Sequence, residues 1–505
     1  MSVGTGKGAK MGLALNSSVW ETGAAEACIA NSGMLVEDSL PSDTRPIISS
    51  VSLGQDRPSS WVQQAIQKGG DFNKKFRFGG KMHQLFAGAL GVVDTVSYRS
   101  LTKIVTGTAT GGSTVTLVDS GAPFGADDLQ IGKYLIINTG TGIYQVLAIT
   151  DSTSDTLTFA TATAPLSGDT YEVVDFGPAI FDICDGTATS TTVTVTKNTS
   201  MGVNAYAGKW ITITTGTGID QTREIVSNTA DTFTVLAAWD TTPDATSVVE
   251  VMGDACTHIY EIGDTEGIYF TKTEGIAPYI KEIPHLKIGA FEILGTYDGF
   301  IMTRFTTIGD QDVVPATVNT DQTLWTIRQS SGEIPMKKTT CSILMNRATG
   351  SALATGTDDR KVNEFAFRFE QAIEGSLRTG PGGNNIMSEP IQNAHPAMSL
   401  NFTEPLTEDD TLISERNGNY AQKASLTLTG AALNANQNAE LVINMPNIAL
   451  NEVAAPINDP GFVVTTVTSS MFDAAAAPSG MSYTEAFKLE ITDGYGGNPI
   501  QAGNT

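Results

Sequence analysis

Residues 283–306 read IPHLKIGAFEILGTYDGFIMTRFT, and residues 445–468 read MPNIALNEVAAPINDPGFVVTTVT. The two stretches align from first to last residue without a gap. We call the shift that places residue 283 on residue 445 the unit offset. The identical positions include Pro284 and Pro446, Gly299 and Gly461, Phe300 and Phe462, Thr303 and Thr465, and Thr306 and Thr468. In both stretches apolar residues recur at every second position on either side of a glycine, which predicts strand, turn and strand. Self-similarity between such distant stretches predicts that one structural unit occurs twice in the chain.

The composition is typical of a folded, turn-rich β protein. The 505 residues include 51 glycines, and Thr, Ser, Asn and Asp cluster between short apolar runs. A chain of this length is expected to hold about three domains. Acids outnumber bases by 54 to 30, which gives a net charge of −24. Because such a surface repels phosphates, the composition argues against sequence-specific DNA binding.

The sequence shows no targeting or membrane signal. The first residues, MSVGTGKGAKMGLALNSS, lack the apolar core of a signal peptide, and no apolar run reaches the roughly 18 residues of a membrane helix. We therefore expect the protein to fold in a cytoplasm. The motif GTGKGAK departs from the phosphate-loop pattern, and residues 1–40 are predicted to form a flexible arm. The widely spaced cysteines, predicted to be buried thiols, are Cys28, Cys184, Cys256 and Cys341.

Residues 41–103 carry a strand followed by a helix. In FNKKFRFGG, Phe76 and Phe78 alternate with basic residues, which predicts a strand with one buried face. The following KMHQLFAGALG predicts a short helix that ends at Gly91. The apolar side of this helix consists of Met82, Leu85, Phe86, Ala89 and Leu90.

A second repeat lies in a segment rich in Thr, Ser, Gly and Val. GKYLIINTGTGIYQ at 132–145 recurs as GKWITITTGTGIDQ at 208–221, and we call the shift between these copies the module offset. Each copy contains about five predicted short strands, with a tight connection at Gly140-Thr141-Gly142 in the first copy. We predict two small β modules, module A at 104–179 and module B at 180–252. They are predicted to be inserted into a larger unit, which needs the residues on both sides.

That larger unit is predicted to resume at 253–311 and to be followed by a connection at 312–339. A second large unit is predicted at 340–505. Within it, NEFAFRFEQAI alternates phenylalanines with other residues, as a strand does. MSLNF at 398–402 predicts another strand.

The segment after MSLNF predicts a short helix, as in the first unit. In TEDDTLISERNG, Thr407 is the predicted N-cap, and Asp409 and Asp410 suit the positive end of the helix dipole. Asn417-Gly418 is the predicted end. Strand, helix, further strands and a Pro-containing hairpin therefore follow one another in both large units.

The sequence offers little catalytic chemistry. The four histidines are His83, His258, His285 and His395. None has a second histidine or a cysteine at metal-ligand spacing, so solvated or structural roles are expected. No GxSxG, HExxH or GxGxxG motif occurs in the required context. We expect no catalytic, cofactor-binding or metal-binding residue and no enzymatic activity, and the sequence does not identify the assembly residues.

Three charged clusters have simple structural interpretations. Glu408-Asp409-Asp410 is favourable at a helix N-terminus. Asp127-Asp128 is predicted to lie in a turn of module A and lacks the ligand series of an EF-hand calcium loop. The basic residues Lys74, Lys75 and Arg77 are predicted to form an exposed strand face or to pair with acids.

The two large units resemble the tail tube (major tail) proteins of long-tailed bacteriophages. The resemblance rests on FRFGG leading into KMHQLFAGALG, on EIPHLKIGAFEI with DGFIMTRF, and on LVINMPNIAL with DPGFVVTTVTSS. It covers about 70% of the chain and implies two tube-type β-sandwich or barrel units, each with a short flanking helix. The inserted modules are similar to β repeats in phage virion proteins. The apparent duplication departs from a minimal tube protein and implies a trimeric ring with pseudo-hexameric symmetry.

The resemblance also implies a function and a set of partners. The protein would polymerise with itself into stacked rings in the host cytoplasm and become part of the virion. It would contact other tail proteins, such as the tape measure and terminator, and genomic DNA would pass non-specifically through an acidic lumen. The inserted modules would decorate the tail exterior. The alternative hypothesis is a β-repeat adhesin or tail-fibre-like protein that binds host glycans through exposed aromatic clusters. Trp210 and Tyr134, at matching positions of the two modules, are instead predicted to lie in their cores.

Overall fold

The computed structural model describes residues 10–501 apart from 19, 21–23, 29–32, 35, 37, 45–46, 51–59, 64–66, 98–102, 141–142, 161, 176–179, 277–278, 311–312, 326–334, 376, 380–384, 406–410, 434–436 and 456–463. The protein is mainly β, as predicted. The described residues contain the helices α1 (Gly80–Leu90) and α2 (Thr411–Asn417) and a 3₁₀ turn at Lys338–Thr340. Neither helix in this part of the chain has the length and apolarity needed to span a bilayer.

The strands are numbered in chain order. Before the modules lie β1 (Lys10–Asn16), β2 (Gly33–Met34), β3 (Asp38–Thr44), β4 (Ile47–Ser50), β5 (Ser60–Gln63), β6 (Gln67–Lys75) and β7 (Gly91–Ser97). Module A contains β8 (Lys103–Thr108), β9 (Gly111–Ser113), β10 (Thr116–Val118), β11 (Tyr134–Ile137), β12 (Val146–Ser152), β13 (Thr156–Phe159) and β14 (Thr170–Val174). Module B contains β15 (Phe181–Ile183), β16 (Thr192–Thr194), β17 (Trp210–Thr215), β18 (Thr222–Asn228), β19 (Thr232–Val235) and β20 (Val248–Val251).

The remaining strands follow the modules. The first of these are β21 (Cys256–Ile262), β22 (Tyr269–Ile276), β23 (Tyr279–Gly295), β24 (Ile301–Gly309), β25 (Cys341–Arg347) and β26 (Glu364–Glu370). The last are β27 (Ile373–Glu374), β28 (Leu377–Thr379), β29 (Asn385–Met387), β30 (Ile391–Gln392), β31 (Ala397–Pro405), β32 (Gln422–Ala432), β33 (Asn438–Ala454), β34 (Val464–Met471) and β35 (Lys488–Asp493).

Sixteen of these strands form one antiparallel sheet, which we call the large sheet. Its main path is β2-β1-β22-β23-β26-β31-β34-β33-β35-β21-β7. From β23 the strands β24, β6 and β3 follow one another, and from β33 the strands β32 and β25 do the same. Both β23 and β33 are 17 residues long, which gives each room for three partner strands.

The two hairpins that the sequence repeat marks pair in the same register. In β23–β24 a bulge separates the pairs of Ile288 and Ala290, and in β33–β34 a bulge separates those of Leu450 and Glu452. The unit offset carries pairs of the first ladder onto all six residue pairs of the second. Because a bulge bends a strand at a defined place, the hairpins share a distortion as well as a sequence pattern.

The neighbouring strands also correspond. Asp38 of β3 lies opposite Asn73 of β6, and Glu364 of β26 lies opposite Thr403 of β31. The order β3–β6–β24–β23 is thus matched by β26–β31–β34–β33, with a helix after β6 and after β31. The pairs β1–β22 and β25–β32 flank β23 and β33 in the same way. We call β1, β3, β6, α1, β22, β23 and β24 unit 1, and β25, β26, β31, α2, β32, β33 and β34 unit 2.

The two units share one sheet and one core. Six residue pairs join β23 of unit 1 to β26 of unit 2, and β35 pairs with both β33 and β21. Buried side chains of both units, among them Phe86, Phe291 and Phe367, belong to one hydrophobic cluster. The predicted boundaries therefore do not separate two independent bodies. The predicted connection at 312–339 is also packed, since Trp325 is fully buried within it.

Helix α1 forms as predicted. It ends where Gly91 adopts a φ of 86°, and a Cβ at that position would lie 2.4 Å from the Asp264 carbonyl oxygen, so glycine is required. The predicted apolar side is buried, but the polar side chains of His83 and Gln84 are buried too. The reason is that α1 packs against β23, β21 and β7 rather than lying on the surface.

Two predictions fall wholly or partly outside the described residues. Helix α2 ends at Asn417, as predicted, but Thr407, Asp409 and Asp410 are not among the described residues. Most of GTGKGAK is not described either. For Lys10–Asn16 the prediction of a flexible arm is wrong, because β1 pairs with β22 over its whole length.

The modules contain the predicted strands and share one topology. Module A has the order β8-β14-β11-β12-β13-β10-β9, and module B has the corresponding order β15-β20-β17-β18-β19-β16. The module offset carries the bulge at Ile149/Asp151 onto the bulge at Ile225/Ser227. The chain leaves the large sheet along β7 and returns along β21, which pairs with it.

Candidate assembly surface

One face of the large sheet, which we call the polar face, points away from the core. Strand alternation directs Phe291, Phe305 and Phe367 into the core, so their neighbours Glu292, Arg304 and Arg368 point to the other side. These neighbours lie on β23, β24 and β26, which are adjacent strands. The polar face therefore crosses the junction between the two units.

A row of alternating charges crosses this face, and we call it the charged row. The Arg304 guanidinium donates to Asp71 of β6, 3.0 Å from Nε to Oδ2, and its Nη1 lies 4.0 Å from Glu292. Arg368 Nε lies 3.6 Å from Glu292, and Arg368 Nη2 donates to Glu370 at 2.8 Å. The hydrogen bond with Asp71 raises the pKa of Arg304 above its ordinary value. Both arginines are about half exposed, which limits the energy of each pair.

The positions that correspond to Glu292, Arg304, Asp71 and Arg368 in the repeated strand order carry no charge. By the register of the paired strands, Glu292 corresponds to Ala454, Arg304 to Thr466, and Asp71 to Asn401. Arg368 of β26 corresponds to Ser42 of β3. The backbone plan is the same, while the side chains on this face change from charged to small and neutral.

Four strands of the described large sheet, β2, β3, β7 and β25, each pair with a single neighbouring strand, so that the other edge has no partner strand. β3 pairs only with β6, and β25 only with β32. A further open stretch is the end of β33, because β32, which lies on the side away from β34, pairs with it only as far as Ile448. Such edges expose unpaired N–H and C=O groups and are templates for further strands.

A cluster of buried polar groups lies where α1 meets β21 and β35. His83 Nε2 donates to Asp493 Oδ2 at 2.9 Å, and His83 Nδ1 is hydrogen-bonded to the Tyr260 hydroxyl at 2.5 Å. The His258 ring packs against His83 at a tilt, with 4.4 Å between the ring centroids, and donates from Nε2 to the Gly497 carbonyl at 3.0 Å. Burial, with a smaller effect of His83, lowers the pKa of His258 to about 3. Burial alone would raise the pKa of Asp493, but attraction to His83 lowers it below its ordinary value.

This cluster has the composition of a metal site but not the hydrogen bonding of one. One ligand atom each from His83, His258 and Asp493 lies within 4.8 Å of the others. However, both ring nitrogens of His83 are already hydrogen-bonded. A metal ion would have to replace the proton that His83 shares with Asp493. The arrangement instead ties the helix of unit 1 to the last strand of the chain.

A second cluster has the order of a hydrolase triad. Ser18 Oγ lies 3.0 Å from His285 Nε2, and His285 Nδ1 donates to Asp310 Oδ2 at 2.8 Å. However, Ser18 Oγ is also 2.6 Å from Asn16 Oδ1, and the Ser18 N–H, which could serve an oxyanion, donates to that same oxygen. The Trp20 ring packs on His285. These contacts fasten the chain after β1 to β23.

The other residues singled out in the sequence lie apart from these clusters. His395, Asp127 and Asp128 are exposed, and the two aspartates lie in a turn, as predicted. Lys74 is buried, so of the two interpretations of the basic cluster the exposed strand face does not apply to it. Trp210 is buried as predicted, whereas Tyr134 is half-buried.

An open cleft between β25, β31 and α2 has a volume of about 510 Å³. It is lined by ion pairs, including Arg347 with Glu415 at 2.6 Å and Arg360 with Glu404 at 4.0 Å. The hydrogen bond from Arg347 lowers the pKa of Glu415. These pairs compensate the charges of Arg347, Glu415, Arg360 and Glu404 within the cleft wall.

Neither the models of protein families nor the curated proteins contain a match to this chain. Sequence reasoning missed the two buried clusters and the charged row. Ser18 and His285 are 267 residues apart, and His83 and Asp493 are 410 apart, so no local motif could reveal them. The alternation in NEFAFRFEQAI was the one available signal for the polar side of β26.

Proposed function

We propose that this protein is the subunit of a bacteriophage tail tube, in which rings stack into a conduit for DNA. The observation that carries the proposal is the β23–β26 junction. There, two units of the same strand order are joined edge to edge within one continuous sheet. One chain would thus supply two consecutive positions of a ring wall, as a duplicated tube unit would.

The free edges support the same proposal. A head-to-tail contact repeated between identical chains produces a closed ring or an open filament. Closing the sheet would pair the edges that β3 and β33 leave open in one chain. In this proposal the polymer contains three chains per ring, and therefore six units.

The polar face is proposed to line the lumen. On β6, β23, β24, β26 and the end of β33 this face carries the acids Asp71, Glu292, Glu364, Glu370 and Glu452 and the bases Lys75, Arg304 and Arg368. The remainder consists mostly of Thr, Ser and Asn on β31 and β34. Acids outnumber bases on these strands, and Arg304 and Arg368 are paired with acids, so the surface would bind phosphates weakly and DNA could pass without adhering.

The modules are proposed to project from the outside of the tube. They hang from the paired strands β7 and β21 and form their own sheets, so they can decorate the tail without entering the wall. The adhesin hypothesis receives less support. It expects exposed aromatic clusters, whereas the aromatic rings of the described module residues are buried or half-buried.

Negative-stain electron microscopy of the purified protein, with its mass in solution measured by light scattering, tests the proposal. We expect hollow rings or tubes that carry outer knobs. Monomers that remain unchanged after addition of polymer seeds, or elongated rods without a lumen, would contradict it. A variant that lacks the modules, with β7 joined to β21 by a short turn, is expected to form tubes with smooth walls.

A further inference from the structure

We propose that β3 of one chain pairs, antiparallel, with residues 452–455 of a second copy, with Thr44 opposite Glu452. This inference rests on the proposed self-assembly and specifies which strands meet and in which register. It follows from the junction that already exists inside the chain. The β23–β26 pairing within one chain thus gives the register that we propose for the contact between chains.

The internal junction is defined by its pairing. Ala290 of β23 lies opposite Glu370 of β26, and the ladder continues to Gly295 opposite Phe365. Just beyond the Ala290–Glu370 end of this ladder, the Gln371 N–H donates to the Gly289 carbonyl at 2.8 Å. In antiparallel geometry this bond makes Ala290 and Glu370 a non-hydrogen-bonded pair, whose Cα atoms are about 4.5 Å apart.

Each side of this junction has a counterpart. β33 corresponds to β23 through the unit offset, which places Glu452 at the position of Ala290. β3 corresponds to β26 through the matching ladders with β6 and β31, which places Thr44 at the position of Glu370. The transferred register has four pairs, which are Glu452 with Thr44, Val453 with Asp43, Ala454 with Ser42, and Ala455 with Pro41.

Both counterparts are available in the described chain. The outer edge of β3 has no partner strand there, and neither does the edge of β33 at 452–454 that faces away from β34, since β32 ends on that side at Ile448. The Val453 carbonyl accepts a hydrogen bond from Arg416 Nη1 at 3.2 Å, which pairing with β3 would share or replace. The edges belong to opposite units, so the contact joins different surfaces of the two copies. The same contact can therefore repeat from one chain to the next, and each repeat alternates with the β23–β26 junction inside a chain.

The side chains suit such a contact. Each transferred pair holds at most one acid, as Ala290 with Glu370 does, so like charges do not face each other across the junction. β3 also carries Pro41, Asp38 and Asp43. Proline and charged residues restrain a free edge from unspecific pairing before assembly. The cost is one N–H donor, which Pro41 lacks.

Disulfide crosslinking between different chains tests this register. One preparation carries Thr44→Cys and the other carries Glu452→Cys, and the two are mixed, assembled, oxidised and analysed on a non-reducing gel. Cysteines at a directly opposed pair meet the distance limits of a disulfide. The matched control replaces Thr44→Cys by Asp43→Cys, which shifts the register by one residue and points the thiol to the other face. The unmodified chain gives the background of the native cysteines.

We expect roughly tenfold more crosslinked dimer from the Thr44 and Glu452 mixture than from the shifted control. Rings or tubes with no crosslink above background, or with equal crosslinking of both mixtures, would overturn the inference while leaving the tube proposal standing. Absence of any polymer from the unmodified chain would instead contradict the proposed function itself. Crosslinking at Ser42→Cys with Ala454→Cys, two residues along, is a second expected result.

Discussion

Units 1 and 2 have the same backbone plan and different polar faces. Their hairpins β23–β24 and β33–β34 agree in register down to the bulge. Yet Glu292, Arg304 and Asp71 of unit 1 are replaced at the corresponding positions by Ala454, Thr466 and Asn401. The buried side keeps apolar residues at equivalent positions, such as Phe305 and Val467, and the buried Thr303 and Thr465 also correspond. The inward alternation and the bulge therefore fix the fold, and the outward side chains are free to differ between the units.

The helices differ in a related way. His83 of α1 is buried in a polar cluster with Tyr260 and Asp493, whereas α2 is shorter and has Leu412 as its buried residue. Only unit 1 is interrupted by the modules, which lie in the chain between α1 and β22 and are joined to the large sheet by β7 and β21. The polar cluster lies where those two strands and β35 meet α1. It distinguishes the unit that bears an insertion from the unit that does not.

The largest difference between the units is expected in their cores. Phe305 and Val467 are equivalent and fully buried, and Phe305 stacks on Phe72 with 5.4 Å between ring centroids. Phe305→Ala should lower the free energy of unfolding by about 3–5 kcal/mol. Val467→Ala should lower it by about 2 kcal/mol, because fewer buried carbon atoms are lost. Urea denaturation followed by tryptophan fluorescence measures both. Equal losses would show that the core is not centred on the unit 1 aromatics.

Acid should weaken the junction between α1 and β35. His258 has a folded pKa of about 3 against an ordinary value near 6.5, so the folded protein resists a proton that the unfolded chain accepts. Its stabilising contribution is complete above pH 6.5 and is lost as the pH falls toward 3, by about 1.4 kcal/mol per unit. Urea midpoints between pH 7 and 4.5 should fall less steeply in His258→Asn.

The matched control for this experiment is His395→Asn, because His395 is exposed. It should keep the slope of the unmodified protein. Measuring only above pH 4.5 avoids protonation of Asp493, whose pKa is lowered from its ordinary value. The same slope in all three proteins would contradict the role given to His258.

Charges placed at the proposed contact between chains should make it resemble the internal junction. Ser42→Arg with Ala454→Glu recreates the pair formed by Arg368 and Glu292. We expect a gain of up to about 1 kcal/mol for each junction at low salt, or about fivefold lower critical concentration for polymerisation. Sedimentation of polymer measures this, and the gain should disappear in high salt. Ser42→Glu with Ala454→Glu should raise the critical concentration, and equal values for the two variants would argue against the register.

The smallest effect is expected from the charged row itself. Arg304→Met removes contacts with Asp71 and Glu292 but affects an arginine that is about half exposed. The free energy of unfolding should fall by less than about 1 kcal/mol. Thr466→Val, at the equivalent position of unit 2, should leave it nearly unchanged. A large loss of unfolding free energy in Arg304→Met would mean that the charged row has a main role in the stability of the fold.

The sequence predicted local structure well because local structure follows from short periods. Alternating apolar residues gave β23, β24, β33 and β34, and the Gly91 stop gave the end of α1. The repeat at the module offset gave two modules of equal topology. These features depend on neighbours within a few residues or on direct self-similarity.

Long-range strand pairing could not be predicted from the sequence. Nothing local indicates that β26 joins β23, or that β35 at the end of the chain joins β21, which directly follows the modules. Such partners are chosen by the packing of the whole sheet. The same holds for β1, whose Gly- and Ser-rich surroundings predicted an arm, and for His83, whose burial depends on strands from distant parts of the chain. The candidate assembly edges emerged only once the pairing was known.

The central claim is that each chain supplies two equivalent positions to a ring and one pair of modules. End-on electron microscopy images of the assembled rings test it most directly, because wall repeats and outer knobs can be counted in the same particle. Because modules A and B pack on each other, for example through Tyr144 and Phe181, the pair in each chain counts as one knob. We predict twice as many wall repeats as such knobs, with six repeats and three knobs in a trimeric ring. Equal numbers of wall repeats and knobs would contradict it.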